Sequence, residues 1–154
     1  MSWKMRRDRV LWLVSMVVTI LTMAAIIGFS AQNAAESSAL SGGITARILP
    51  WVQSMFPDVT EDGLHHFLRK LAHFTVYFVL GCSLTCNFGV QDKVPAVLCA
   101  IAAGGLFASS DEFHQLFSEG RSGSVQDVIL DTCGVAVGSI ILWNLNGMLR
   151  KRKQ

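Results

Sequence analysis

The chain has 154 residues, a formal net charge of +2, 51% hydrophobic residues and only 16% charged residues. Soluble domains have about 25% charged residues, so this composition argues against a soluble protein and indicates a small membrane protein of one domain. The small net charge also argues against nucleic-acid binding, which usually depends on a strongly basic surface.

Four apolar segments are predicted to cross a membrane as an all-α, four-helix bundle. A hydrocarbon core of about 30 Å requires about 20 apolar residues in a helix. The first segment has this length without a charged residue, whereas the other three are shorter and should continue as helix into their polar flanks. The predicted spans of this single domain, residues 1–154, are residues 10–29, 71–87, 94–110 and 127–145.

The first span follows a basic segment and could be read as a signal peptide. Its apolar run is longer than the roughly 7–15 residues of a signal-peptide core, and no clean cleavage site of small residues follows it. We therefore predict an uncleaved anchor.

Between the first two spans, apolar residues recur at helical spacing at Ile44, Ile48, Trp51 and Met55. This pattern predicts a short amphipathic helix on the outer surface, with Trp51 at the headgroup level. A lid packed on the bundle is the alternative. Pro50 is expected to interrupt the helix or to mark its start, because proline has no amide hydrogen.

The basic residues indicate the orientation of the four predicted spans. Cytoplasmic segments of membrane proteins are enriched in Lys and Arg, which predicts a cytoplasmic-membrane protein with both termini in the cytoplasm. Nine of the 13 basic residues would lie on the side of the termini: Lys4, Arg6, Arg7, Arg9, Lys93, Arg150, Lys151, Arg152 and Lys153. The other four would lie outside: Arg47, Arg69, Lys70 and Arg121.

Polar and ionisable residues are concentrated between the third and fourth spans. Such residues are costly in or near a membrane and suggest a functional site by default. Helical spacing brings further residues to the same end: Lys70, His73 and Tyr77 share one face of the second span, and Asp127 and Asp131 share one face of the fourth. The predicted ligand-binding residues are Lys70, His73, Tyr77, Asp111, Glu112, His114, Gln115, Arg121, Asp127 and Asp131.

The same spacing has structural consequences. Asp111, His114 and Gln115 share a face if the third helix continues, and Gly134 and Gly138 form a small-x-x-x-small packing motif on the fourth. His73 and Asp131 could equally be simple interhelical hydrogen-bond partners. A pair of acids at a helix C-terminus is unfavourable and calls for a cationic partner, such as Arg121, Lys70 or a metal ion.

Three blocks of residues resemble the VanZ-like family of membrane proteins. They are FSxQ at residues 29–32, RKLAHFxxYxxLG at residues 69–81 and DEFHQxFxxxRxxSxxD at residues 111–127. Asp131 and Gly134 extend the resemblance into the fourth span. Many family members have an acidic residue just before the tyrosine, where this chain has Val76. The resemblance implies a multi-span protein of the bacterial cell envelope, related to a protein linked to teicoplanin resistance.

Two classes of function stay open. The first is a protein that binds a membrane lipid, a lipid-linked anionic cell-wall precursor or a glycopeptide antibiotic, with basic residues contacting phosphate. The second is an enzyme that acts on a lipid-linked cell-wall or surface-polymer intermediate by acid–base or metal-assisted chemistry. The candidate catalytic residues are His73, His114, Asp111, Glu112 and Asp127. A scaffold that packs on another membrane protein is a third class.

A divalent cation is the one cofactor that these residues suggest, with Asp111, Glu112 and His114 as candidate ligands. Carboxylate oxygens favour Mg²⁺ or Ca²⁺, and the imidazole leaves Zn²⁺ open. The chain carries no established catalytic motif, so binding is the favoured function. Nothing in the sequence indicates an oligomeric state.

Overall fold

The computed structural model describes residues 3–32, 34–89, 94–118 and 123–151, and over these residues the chain is helical without strands. This confirms the all-α fold class. The helices are α1 (Trp3–Ser30), α2 (Ala34–Met55), α3 (Glu61–Asn87), α4 (Val94–Gln115) and α5 (Val125–Lys151).

Three helices of the described chain are long and apolar enough to cross a membrane. These candidate spans are Arg9–Ser30, Val94–Gln115 and Val125–Leu149. The second predicted span, which lies in α3, does not reach the same hydropathy, since Lys70, His73 and other polar residues interrupt its apolar character. The structure therefore supports three candidate spans by length and composition where the sequence predicted four.

Helices α3 and α4 are longer than the predicted spans because they continue into polar sequence. Helix α3 begins at Glu61, where Thr60 caps its N-terminus by accepting a hydrogen bond from the Gly63 amide at 3.2 Å. Helix α4 continues to Gln115, as expected. The polar residues in the N-terminal part of α3 and the C-terminal part of α4 therefore lie within helices and not in loops.

Helix α2 differs from the predicted short amphipathic helix. It has 22 residues and continues through Pro50, which neither starts nor ends it. It packs on α3, where Ser41 Oγ lies 2.6 Å from His65 Nε2. Trp51 and Met55 are exposed on its outer side. Helix α2 therefore combines the two alternatives, because it packs on the bundle and also presents an apolar surface outward.

Helices α3 and α5 approach each other through glycine, as the small-residue motif predicted. A Cβ atom added at Gly134 would lie 2.7 Å from the Phe74 carbonyl oxygen, and one at Gly138 would overlap the Phe78 carbonyl. A Cβ at Gly81 would overlap the backbone of α5 in the same way. This backbone-to-backbone contact places residues 74–81 of α3 beside residues 134–138 of α5.

Helix α1 runs antiparallel to α3 and is bonded to it by side-chain hydroxyl and amide groups. Thr19 Oγ1 donates to Ser83 Oγ at 2.8 Å and accepts from Asn87 Nδ2 at 2.9 Å. Ser15 Oγ donates to Asn87 Oδ1 in the same group. We call Ser15, Thr19, Ser83 and Asn87 the α1–α3 hydrogen-bond network. It lies at the end of the bundle opposite the predicted site.

The outer surface of the bundle is strongly apolar. Large hydrophobic side chains are exposed on α1, α4 and α5, including Leu21, Leu106 and Ile129. A soluble monomer rarely exposes apolar patches of this extent, whereas a lipid-facing surface does so by necessity. The polar residues lie mostly between the helices.

Candidate functional site

A buried histidine–carboxylate pair joins α3 to α5. His73 Nδ1 lies 3.5 Å from Asp131 Oδ2. The Asp131 side chain is 0% exposed, whereas His73 remains partly exposed at 25%. The pair forms because close packing of α3 on α5 aligns the two positions that helical spacing predicted. It would hold the imidazole in a fixed orientation.

Helix α4 contributes two more buried carboxylates, and Gln115 links them. Gln115 Nε2 donates to Glu112 Oε1 at 3.0 Å and reaches Asp111 Oδ2 at 3.3 Å. Glu112 Oε2 also accepts from the Ser124 amide at 2.8 Å, at the start of α5. Asp111, Glu112 and Gln115 lie together on the buried face of α4.

Several polar atoms at the centre of the site have no hydrogen-bond partner among the described residues. They are the Tyr77 hydroxyl, Asp111 Oδ1 and both Asp131 carboxylate oxygens. The Tyr77 side chain is 1% exposed and lies near Asp111 without completing a hydrogen bond to it. Unpartnered buried polar atoms are rare in proteins and call for an explanation. We call His73, Tyr77, Asp111, Glu112, Gln115 and Asp131 the polar cluster.

Lys70 and Asp127 form a second pair at the edge of the polar cluster. Lys70 Nζ lies 3.3 Å from Asp127 Oδ1, and the two side chains are 34% and 24% exposed. This pair is therefore half-exposed, unlike the His73–Asp131 pair. Asp127 Oδ1 also lacks a hydrogen-bond partner among the described residues, but Lys70 supplies a cation to it as His73 does to Asp131. Asp111 and Glu112 are then the buried carboxylates of the site for which the described residues show no ion pair.

Three side chains of the cluster are arranged as metal ligands could be. His73, Glu112 and Asp131 each offer one ligand atom, and these atoms all lie within 4.8 Å of one another. Two of the three, Glu112 and Asp131, are buried. The set differs from the predicted one of Asp111, Glu112 and His114 in two positions.

An apolar cavity of about 420 Å³ adjoins the cluster between α1, α2 and α3. Its walls include Ile26, Phe29, Ile44 and Val76, together with polar groups that include Arg69. His73 and Tyr77 line this cavity and also belong to the polar cluster. The cavity and the cluster therefore share one wall, which the sequence did not predict.

The structure separates the remaining predicted site residues. His114 is exposed on α4, so it does not share the buried face of Asp111 and Gln115 as the spacing suggested. The buried stripe continues instead through Glu112. Arg121, a predicted phosphate ligand, lies outside the described residues.

Comparison with models of known protein families gives a match. The family model VanZ/LLP1 matches residues 15–146 of the 154-residue chain. The chain belongs to the VanZ/LLP1 family. Comparisons with curated proteins and with solved structures found no match.

Two contributors to the site of this VanZ/LLP1 protein were not predicted as site residues. Ser30 Oγ accepts a hydrogen bond from Gln115 Nε2 at 3.4 Å, and the Ser118 hydroxyl donates to the Ser30 carbonyl at 3.0 Å. The Ser124 amide bonds Glu112. Ser30 lies in the FSxQ block and Ser124 in the DEFHQxFxxxRxxSxxD block, so both positions carried a signal. The use of the backbone amide of Ser124 could not be read from the sequence.

Proposed function

We propose that this VanZ/LLP1 protein binds a lipid-linked anionic ligand of the bacterial envelope. One observation carries the proposal: the apolar cavity and the polar cluster share the side chains of His73 and Tyr77. Small-molecule sites are typically apolar cavities with a few placed polar groups. Such a site matches a ligand whose hydrocarbon chain lies in the cavity and whose head reaches His73.

The charges around the cavity favour a phosphate-containing head. Arg69 lines the cavity beside His73, and Lys70 follows on the same helix. Guanidinium and ammonium groups form strong charge-assisted hydrogen bonds with phosphate oxygens. The buried carboxylates of the cluster would repel a phosphate in direct contact, so we place the head at the basic and imidazole side of the cavity.

The proposal includes a membrane arrangement with four spans, in which α3 crosses the bilayer beside α5. Polar residues of α3 would be shielded from lipid there, since Tyr77 and Ser83 are buried in the bundle. Both termini would be cytoplasmic and the cluster extracytoplasmic. Alkaline phosphatase fusions after residue 57 and residue 118 should be active, and a fusion at the C-terminus should be inactive. An active C-terminal fusion would overturn this orientation.

Filling the cavity provides the direct test of ligand binding. Val76→Trp should occlude it, because Val76 lines its wall. Val79→Trp is the matched control, since Val79 is an exposed valine on the same helix. Native mass spectrometry of protein purified in mild detergent should detect co-purified polyprenyl-phosphate or phospholipid in wild type and the control, and much less in Val76→Trp. Equal lipid occupancy in all three proteins would refute the proposal.

The family relationship suggests a role in sensitivity to teicoplanin. We propose that occupancy of the site alters the availability of the lipid-linked precursor that this antibiotic meets at the outer face of the membrane. Expression of the wild-type chain in a susceptible strain should raise the inhibitory concentration of teicoplanin. Expression of Val76→Trp at equal membrane abundance should not, and equal protection by both would remove this link.

A membrane enzyme is the second candidate, and the His73–Asp131 pair favours it. A buried carboxylate 3.5 Å from a histidine that lines a cavity could orient the ring as a general base. The discriminating measurement is turnover of a defined polyprenyl diphosphate by purified protein. An enzyme should lose turnover in His73→Gln while retaining lipid binding, whereas a binding protein shows no turnover in either form.

A further inference from the structure

We infer that His73, Glu112 and Asp131 form a binding site for one divalent cation, with Zn²⁺ or Mn²⁺ as the matching ions. The three side chains come from α3, α4 and α5, and their ligand atoms lie within 4.8 Å of one another. The site would join three helices beside the cavity wall that His73 lines. Its existence does not depend on the lipid ligand proposed above.

The first argument is the state of the Asp131 side chain. It is fully buried, and neither of its carboxylate oxygens has a hydrogen-bond donor among the described residues. Burial of a carboxylate without hydrogen-bond donors is costly, so such groups are normally hydrogen-bonded or coordinate a metal. The His73 imidazole at 3.5 Å is the only charged contact of Asp131 in the described structure.

The second argument is the charge balance of the polar cluster. Asp111, Glu112 and Asp131 are buried carboxylates, and in the described structure His73 is the sole cationic side chain that forms an ion pair with any of them. Lys70 is engaged by Asp127. A divalent cation would neutralise two of the three carboxylates without bringing another side chain into the bundle.

The third argument is the donor set. One imidazole and two carboxylates match Zn²⁺ or Mn²⁺ better than Ca²⁺ or Mg²⁺, which prefer all-oxygen sites. Two ligand atoms about 2.1 Å from a tetrahedral ion lie about 3.4 Å apart. The His73–Asp131 separation of 3.5 Å already matches that spacing. Three protein ligands leave a coordination position open, as in zinc sites that bind a further ligand.

The position of the site suggests what the open coordination position would contact. His73 lines the cavity, so a cation held by it would lie at the cavity wall. A phosphate head could then bind the cation although carboxylates surround it. This last step rests on the proposed function, whereas cation binding itself is testable without any lipid.

The test uses the full chain in nanodiscs, stripped of metal by EDTA and titrated separately with Zn²⁺, Mn²⁺ and Mg²⁺. Elemental analysis after gel filtration should give about one Zn²⁺ or Mn²⁺ per chain, and the ion should raise the melting temperature. Glu112→Gln and Asp131→Asn should each weaken binding about tenfold or more, since even indirect support of a metal ligand is worth 10–100-fold. Electron paramagnetic resonance of bound Mn²⁺ should change in both variants.

The control is His114→Gln, which removes the exposed histidine of the same helix. It should bind the cation as wild type does; loss of binding in this variant, with Asp131→Asn unaffected, would place the ion elsewhere. Absence of stoichiometric metal in wild type at millimolar Zn²⁺ and Mn²⁺ would overturn the inference. Continued lipid binding in that case would leave the proposed function intact. Metal binding without lipid binding would support the cation site and refute the proposed function.

Discussion

The two ends of the bundle carry polar residues in contrasting states. In the α1–α3 hydrogen-bond network, neutral side chains bond one another, as when Thr19 accepts from Asn87 and donates to Ser83. In the polar cluster, ionisable side chains such as Asp131 and Tyr77 are buried as well, yet polar atoms of both lack a hydrogen-bond partner among the described residues. The two regions share helix α3 and differ in chemistry.

This contrast distinguishes a polar group that stabilises helix packing from one that serves a ligand. Interhelical hydrogen bonds between neutral groups contribute modestly, on average about 0.6 kcal/mol in membrane proteins, and require nothing from outside the chain. An unpartnered buried carboxylate lowers stability and is retained where a ligand or ion repays the cost. We therefore expect the network to stabilise the fold and the polar cluster to serve the proposed ligand or ion.

The largest effect is expected from Gly138→Ile. This substitution should disrupt the packing of α3 on α5, on which both the network and the polar cluster depend. A Cβ at this position would overlap the Phe78 carbonyl on α3, so α3 and α5 would have to separate. Overpacking costs about 1–3 kcal/mol, and contact with backbone places this case at the upper end. Gel filtration and thermal melting should report loss of the folded protein. Gly147→Ile is the control, because open space surrounds Gly147 on the same helix; equal behaviour of the two variants would contradict the close contact.

The second largest effect separates stability from binding in the polar cluster. In EDTA, Asp131→Asn should melt close to the temperature of wild type, because the loss of the ion pair with His73 is offset by the lower cost of burying a neutral amide than a carboxylate without hydrogen-bond donors. Lipid binding should fall about tenfold, which corresponds to about 1.4 kcal/mol, because Asp131 no longer orients the His73 imidazole that the lipid head would contact. Native mass spectrometry and melting curves measure the two quantities on one sample.

The exposed Asp58→Asn variant is the control for Asp131→Asn, since it makes the same chemical change outside the bundle. It should leave both quantities unchanged. If Asp131→Asn instead lowers the melting temperature and leaves lipid binding intact, Asp131 belongs with the structural network, and the contrast between the two ends fails.

The network should show the reverse behaviour. Thr19→Val removes the hydroxyl that bonds both Ser83 and Asn87, and should lower the free energy of unfolding by about 0.6–1.7 kcal/mol. Lipid binding should not change. Thr75→Val is matched in chemistry, but Thr75 is exposed and bonds the backbone carbonyl of Leu71 in its own helix, so a small effect is expected. A loss of lipid binding in Thr19→Val would show that the network also serves the site.

Sequence patterns predicted the polar faces of α3 and α5 correctly, because helical periodicity fixes which residues share a side. His73 and Asp131 therefore meet as spacing implied, and Gly134 and Gly138 contact α3. The rotation of α4 was less determined, since Asp111, Glu112, His114 and Gln115 are all polar and offer two overlapping faces. Packing decided between them and buried Glu112 while exposing His114.

Other features could be recognised only from the three-dimensional structure. The cavity results from the way α1 and α2 lie against α3, and no local pattern encodes a space between helices. The α1–α3 hydrogen-bond network was equally hidden, because the sequence alone does not show that Asn87 lies opposite Ser15 and Thr19. Helix α2 was underestimated in length because the predicted helix began with the apolar pattern at Ile44, whereas the helix begins at Ala34, before that pattern.

The smallest effect is expected at the Lys70–Asp127 pair, which is charged like the polar cluster and partnered like the network. The two groups lie 3.3 Å apart and are 34% and 24% exposed, so solvent screens their attraction. Such pairs contribute at most about 1 kcal/mol. Lys70→Gln should therefore lower stability by about 0.5 kcal/mol in low salt and by less in high salt, as unfolding in a denaturing detergent would measure.

Lys70→Arg preserves the charge and should restore the stability of wild type, since Asp127 keeps a cationic partner. A loss above about 2 kcal/mol that salt does not diminish would mean that Lys70 compensates buried carboxylates beyond Asp127. Lys70 would then count among the cations that neutralise the buried carboxylates of the polar cluster. A cation at Asp131 would no longer be needed to balance the site, so this smallest substitution also tests the charge argument for the metal.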